Sequence, residues 1–131
     1  MVECMRRGWK VNIPFGEDTR YDVIVDTPQG LRRVQIKTCT KPNKRGRFKL
    51  TVNYGRSPRK SYTAEDCDFV AAYVVPLESW WIIPIDKVKT TTIDIGNQHQ
   101  ESRSAWHNIC YEKPRARQQK KRKPKQPPTD K

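Results

Sequence analysis

Between Arg20 and Thr38, apolar and polar positions alternate in two runs separated by Thr27, Pro28, Gln29 and Gly30. A period of two sends successive side chains to opposite faces of a strand. Asp22, Ile24 and Asp26 therefore share one face, and Tyr21, Val23 and Val25 share the other. In the second run Arg33, Gln35 and Lys37 point one way while Val34 and Ile36 point the other. Proline presets a bend and glycine accepts unusual backbone angles, so residues 27–30 predict a tight turn and the two runs a hairpin. Such a hairpin brings Asp22 beside Gln35 and Lys37 in one register, and a slip of one residue would put them on opposite faces.

The same periodicity extends along the chain. Residues 2–7 read as the last turn and a half of a helix stopped by Gly8, and Trp9 to Phe15 as a first strand with Trp9, Val11, Ile13 and Phe15 on one side. Pro14 marks the end or an edge of that strand. Phe48, Leu50, Val52 and Tyr54 alternate with polar residues, the pattern of a half-buried strand. After Asp68, Phe69 to Val75 is continuously apolar, which fits a central strand covered on both faces. Trp80 to Ile85 predicts another strand, with at least one of Trp80 and Trp81 in the core. Thr63 with Asp66 resembles a capping box opening a short helix, and Ser102 or Ser104 would open one carrying Trp106 and Ile109. The sum is an α/β arrangement: a mixed β-sheet core with few flanking helices.

Charge changes the picture. The 131 residues hold 27 Lys and Arg against 14 Asp and Glu. From Lys113 to Lys131 there are nine cations and one acid, which leaves 18 and 13 for residues 1–112. Hydrophobic periodicity ends at about Lys113, so 1–112 reads as one domain and 113–131 as a disordered basic tail. A basic body with a basic tail favours a polyanionic partner, because neutralised phosphates release counterions. Lys41, Lys44, Arg45 and Arg47 in one turn, and Arg56, Arg59 and Lys60 in a loop, are candidate phosphate contacts that position without reading sequence. No apolar run reaches the roughly 20 residues of a membrane-spanning helix. Cys4, Cys39, Cys67 and Cys110 form no CxxC pair, which argues against a zinc ribbon or disulfide framework and for a reducing cytoplasmic setting. His99 and His107 are isolated and read as surface residues.

The spacing Asp22-x12-Gln35-x-Lys37, preceded by the run from Gly8 to Asp18 with its Pro14-Phe15-Gly16-Glu17, resembles the PD-(D/E)xK nuclease superfamily, and within it the branch of group I intron-associated homing endonucleases. The likeness runs from about residue 5 to residue 86, with a weaker echo at residues 104–108. It implies a restriction-endonuclease-like fold and a metal-dependent endonuclease acting on double-stranded DNA. Two departures stand out. Gln35 replaces the second acid, and the family's longer N-terminal helix with its glutamate looks truncated here, with Glu3 a poor substitute. Two other readings stay open: a catalytically silent DNA-binding module of the same fold, and a Holliday-junction resolvase-like enzyme.

Phosphodiester hydrolysis needs an attacking water, charge stabilisation on the phosphate and help for the leaving oxygen, which a magnesium ion with oxygen ligands supplies. Asp22 offers an anionic oxygen and Gln35 a neutral one. The resemblance implies the Ile36 carbonyl as another, with Lys37 placed to orient the water or balance charge on the phosphate. Glu17 and Asp18, just ahead of Asp22, read as loop surface. Cutting both strands needs two active sites, so a homodimer or higher oligomer is expected.

The tail yields the first prediction. Deleting residues 113–131 removes nine cations, and if all met phosphates the salt slope of DNA binding would fall by about 8. A flexible tail realises part of that, so the expected result is a flatter slope in salt-titrated gel shifts. An unchanged slope would show that the tail does not touch DNA.

Overall fold

Val2–Arg6 forms the helix α1, and its end shows how local sequence sets the chain's path. Gly8, with φ of +76°, follows the capping Arg7. The Gly8 N–H donates to the Met5 carbonyl at 3.0 Å and the Trp9 N–H to the Cys4 carbonyl at 2.9 Å. These bonds make a Schellman motif, in which glycine takes the left-handed position without a Cβ penalty and the next apolar residue folds back on the helix. Trp9 and Cys4 accordingly bury into the same cluster. The coordinates are a computed structural model, which describes residues 1–16, 18–55, 58–95 and 98–110.

Among the described residues nine strands follow: β1 (Lys10–Asn12), β2 (Val23–Thr27), β3 (Gly30–Cys39), β4 (Phe48–Thr51), β5 (Asn53–Tyr54), β6 (Lys60–Ser61), β7 (Phe69–Val74), β8 (Ser79–Pro84) and β9 (Thr92–Ile95). The main sheet has five strands in the order β1-β2-β3-β7-β8. Only β3 and β7 run parallel; the other neighbours are antiparallel. A parallel pair needs a crossover, and residues 40–68 supply it with β4, β5 and β6 rather than with a helix. Two small sheets, β4-β9 and β5-β6, complete the fold.

The core lies on both faces of the main sheet. On one, Val25, Val34, Ala71 and Ile82 pack against Cys4, Trp9, Trp106 and Ile109. On the other, Val70, Ala72, Val74, Trp81 and Ile83 pack against Leu50, Val52, Tyr62, Cys67, Ile93 and Ile95. β7 feeds both clusters alternately, so its apolar run has no polar partner positions.

Several elements depart from expectation. The first strand stops at Asn12, because beyond it the chain leaves its one neighbour β2; Ile13 is 70% and Phe15 105% exposed, away from buried Trp9. Phe48 to Tyr54 keeps its predicted inward face but splits at Val52, whose N–H donates to the Thr91 carbonyl at 2.7 Å, so its halves pair with different strands. The helix expected after Thr63 is a single hydrogen-bonded turn. The Thr63 N–H donates to the Asp66 carboxylate at 2.8 Å and Thr63 Oγ1 accepts from the Glu65 N–H at 3.3 Å, so the capping bonds form without a helix to cap. The segment with Trp106 and Ile109 is a 3-10 turn, Trp106–Cys110. Trp81 is core, and Trp80 is half-buried between Tyr73 and Trp106 at ring separations of 4.9 and 5.6 Å. Among the described residues no helix is long and apolar enough to cross a membrane. Cys4, Cys39 and Cys67 are buried free thiols.

Burial pushes the Cys67 thiol up from 9.0 to about 11, with Asp66 and Asp68 adding to it. A folded-state value above the unfolded one means that this contribution to stability is intact below pH 9.0 and is lost as pH rises through about 11. In urea unfolding across that range, wild type should lose stability more steeply than Cys67→Ala, whose lower baseline reflects only lost packing.

Candidate functional site

The hairpin register decides whether the sequence-selected residues meet. Val23 pairs with Val34 and Thr27 with Gly30, and the Asp22 N–H donates to the Val34 carbonyl at 2.9 Å. The turn is closed by Thr27, whose Oγ1 donates to the Gly30 carbonyl at 2.9 Å and accepts from the Gln29 N–H at 3.3 Å. Gly30, at φ +124°, sits where a side chain would be strained. In this register Asp22 and Gln35 lie side by side.

Asp22 Oδ2 accepts from the Ile36 N–H at 2.7 Å and from Gln35 Nε2 at 2.9 Å. Gln35 Nε2 also donates to the Ile36 carbonyl at 3.4 Å. The amide NH2 group thus bridges Asp22 Oδ2 and the Ile36 carbonyl, which belong to the two residues that, with Gln35, the family resemblance implies as metal ligands. Rotating the amide about its last bond exchanges Nε2 for Oε1, which makes the three neighbouring groups an all-oxygen donor set. That donor set, with one formal negative charge, suits a hard divalent cation that keeps several waters. Among the described residues no three His, Cys, Asp or Glu side chains form a metal-holding cluster, so a cation here depends on the amide and the backbone.

Parallel pairing sets what faces this site. Gln35 pairs with Val70 and Lys37 with Ala72, which puts both on the face covered by the crossover. Gln35 is only 8% exposed, whereas Asp22 is at the surface. Lys37 is half-buried, and its Nζ lies 5.5 Å from the centre of the Tyr62 ring. Tyr62 stacks on Tyr54 at 5.3 Å, and the Arg20 guanidinium caps Tyr54 at 4.0 Å. Burial first, then the nearby Asp22 and Cys67, raise the Tyr62 hydroxyl above its ordinary value.

Arg33, on the same face of β3, was not singled out from the sequence and proves to be the main brace. Its backbone N–H donates to Asp68 Oδ2 at 2.8 Å, and its guanidinium reaches the carbonyls of Glu65 and Ala64 at 2.6 and 2.7 Å and Asp68 Oδ1 at 3.3 Å. The Asp68 bond holds the guanidinium in its charged form, raising it further. A charged residue in register with Gln35 and Lys37 was the available signal; its partners, some thirty residues away, were not.

A PD-(D/E)XK endonuclease family model matches residues 1–112. The chain belongs to the PD-(D/E)XK endonuclease family. The bacterial homing endonuclease I-Ssp6803I has a similar structure, with a TM-score of 0.71 and 28% identity over 82% of this chain and 83% of that one. No curated protein matches significantly by sequence. Within this PD-(D/E)XK endonuclease, Asp22, Gln35 and the Ile36 carbonyl come together, while Lys37, on the same face of β3 as Gln35, lies over the Tyr62 ring.

The remaining residues are spread around that centre. Glu3 is ion-paired with Arg6 at 3.4 Å and Arg7 at 4.0 Å, on a helix packed against the opposite face of the sheet. Asp18 is exposed, and Glu17 lies outside the described residues. Lys41, Lys44, Arg45, Arg59 and Lys60 are exposed. Arg47 is exposed too, yet pairs with Asp94 at 3.3 Å, and Asn43 Oδ1 accepts from the N–H groups of Arg45 and Arg47 at 2.9 and 3.0 Å. Arg47 therefore also braces its own turn. Arg56 and the basic tail lie outside the described residues. His107 is exposed and His99 half-buried.

The Asp22–Gln35 contact makes a direct prediction. Gln35→Glu replaces a donor by a second carboxylate against Asp22 Oδ2, at a cost of about 1–3 kcal/mol at neutral pH. Repulsion raises the affinity of the folded pair for a proton, so the folded variant gains stability as pH falls toward about 4. Thermal melts should show a deficit at neutral pH that narrows in acid. A constant deficit would mean that the two side chains do not interact.

Proposed function

We propose that this endonuclease hydrolyses phosphodiester bonds of double-stranded DNA with a divalent cation, Mg2+ in the cell, held by Asp22, Gln35 and the Ile36 carbonyl. The observation that carries the reading is the meeting of Asp22 Oδ2, the Gln35 amide and the Ile36 carbonyl within hydrogen-bonding reach of one another. Bound there, the cation would supply an activated water and charge stabilisation. Asp22 brings the anionic oxygen, and its bond from the Ile36 N–H fixes the carboxylate before any ligand arrives. Gln35 keeps the net charge low, so affinity for the cation leans on the phosphate it shares. Lys37 places a positive charge where the scissile phosphate gains negative charge, or orients the water. Lys41, Lys44, Arg45, Arg47, Arg56, Arg59 and Lys60 are proposed phosphate contacts that set the duplex over the site. Double-strand cutting needs a second active site, hence a homodimer or larger assembly.

A second reading, a silent DNA-binding module, is favoured by two observations. The Gln35 amide faces Asp22 with its donor, and Glu3 is engaged by Arg6 and Arg7.

Incubation with supercoiled plasmid separates the two. The expected result is nicking with Mg2+, none with chelator, and a fall of about 10²–10⁴-fold in Asp22→Ala and Lys37→Ala. Gel shifts on the same duplex should change little for Lys37→Ala, which removes one cation of 27. Binding without nicking under any divalent cation would establish the silent module.

A further inference from the structure

We propose that Tyr62 is the positioning residue for Lys37: its ring face holds the ammonium in place on the face of β3 that carries Gln35. The inference rests on the reading of Lys37 as part of the cutting site. A lysine on a flexible stem does not keep one position unless something binds its head, and among the described residues no ion pair joins Lys37 to Asp22. Instead the Asp22 carboxylate is taken by the Gln35 amide and the Ile36 N–H, while the Lys37 ammonium lies 5.5 Å from the Tyr62 ring centre. An aromatic face attracts a cation at that range, more strongly where water is partly excluded, and Tyr62 is 8% exposed. Withdrawn from Asp22, Lys37 leaves the carboxylate available to a metal and keeps its charge for the phosphate.

The ring is itself fixed from two sides. Tyr54 stacks on it at 5.3 Å, and Arg20, two residues before Asp22, lies 4.0 Å over Tyr54. On the other side Tyr62 runs into the turn of residues 63–66, whose Ala64 and Glu65 carbonyls are gripped by Arg33 at 2.7 and 2.6 Å. Arg33, Gln35 and Lys37 stand on one face of β3. The same strand thus anchors the turn that carries Tyr62 and presents the lysine that Tyr62 receives.

The test compares Tyr62→Phe, which keeps the ring face, with Tyr62→Leu, which keeps the bulk and loses the face. Magnesium-dependent nicking is measured as kcat and KM. Tyr62→Leu should lose kcat by about a hundredfold, the scale of a misplaced catalytic group, with KM for DNA unchanged, and Tyr62→Phe should retain most activity. In a Lys37→Ala background, Tyr62→Leu should cause no further loss. Carbon–proton NMR of the Lys37 side chain reads the contact without any cutting: ring-current shifts should be present in wild type and Tyr62→Phe and absent in Tyr62→Leu. Their absence in a folded wild type overturns the inference, as does a Tyr62→Phe variant as weak as Tyr62→Leu, or a further loss in the Lys37→Ala background. If wild type never nicks, the proposed activity fails while the NMR comparison still decides whether Tyr62 holds Lys37.

Discussion

The parallel pairing of β3 with β7 is the constraint on which the rest depends. It joins the hairpin strand that carries Gln35 and Lys37 to the most deeply buried strand in the protein. Because parallel neighbours need a long return path, it also forces residues 40–68 over one face of the sheet. That excursion delivers Tyr62 to Lys37, and Ala64, Glu65 and Asp68 to Arg33. One pairing therefore builds the sheet, closes its second core and furnishes the site. Without β7 beside it, β3 would be the open edge of a three-stranded β1-β2-β3 unit, its outer N–H and C=O groups unpaired.

The site combines rigidity and reserve. Asp22 sits at a strand entrance and is oriented by a backbone N–H, which costs no side-chain ordering. Gln35 is nearly buried yet neutral, so no unpaired charge is carried into the core. A carboxylate there would bind a cation more tightly and repel Asp22 in its absence. On the proposed metal-binding reading, the glutamine trades cation affinity for a stable unliganded sheet, which is a physical reason for a family member to depart from two acids. The cations divide similarly: Arg33 and Arg47 hold turns in place, while Lys41, Lys44 and Lys60 are exposed to solvent.

Legibility followed the range of the interaction. The Asp22, Gln35 and Lys37 trio was readable because a period of two and a turn of two residues leave only the register open, and burial of Val25 and Val34 on one face settles it. β7 was readable because a strand covered on both faces is apolar throughout. The end of the first strand was not, since Ile13 and Phe15 fit the alternation and only the lack of a partner strand ends it. Nor was the division at Val52, where hydrophobic rhythm continues although pairing changes. Arg33 looked like one more cation, because its partners are carbonyls, which every residue carries.

By itself, then, the sequence determined the strands with strict periodicity, the tight turn, the Schellman end of α1, the basic balance, and an acid, an amide and a lysine in family spacing. These are properties of neighbours along the chain, dictated by sterics and side-chain alternation. Tertiary structure alone decided which strands pair, that Gln35 donates to Asp22 rather than facing solvent, and that an aromatic ring receives Lys37. Those outcomes depend on contacts between segments up to 47 residues apart, and hydrophobic rhythm specifies which face is buried but not what will cover it.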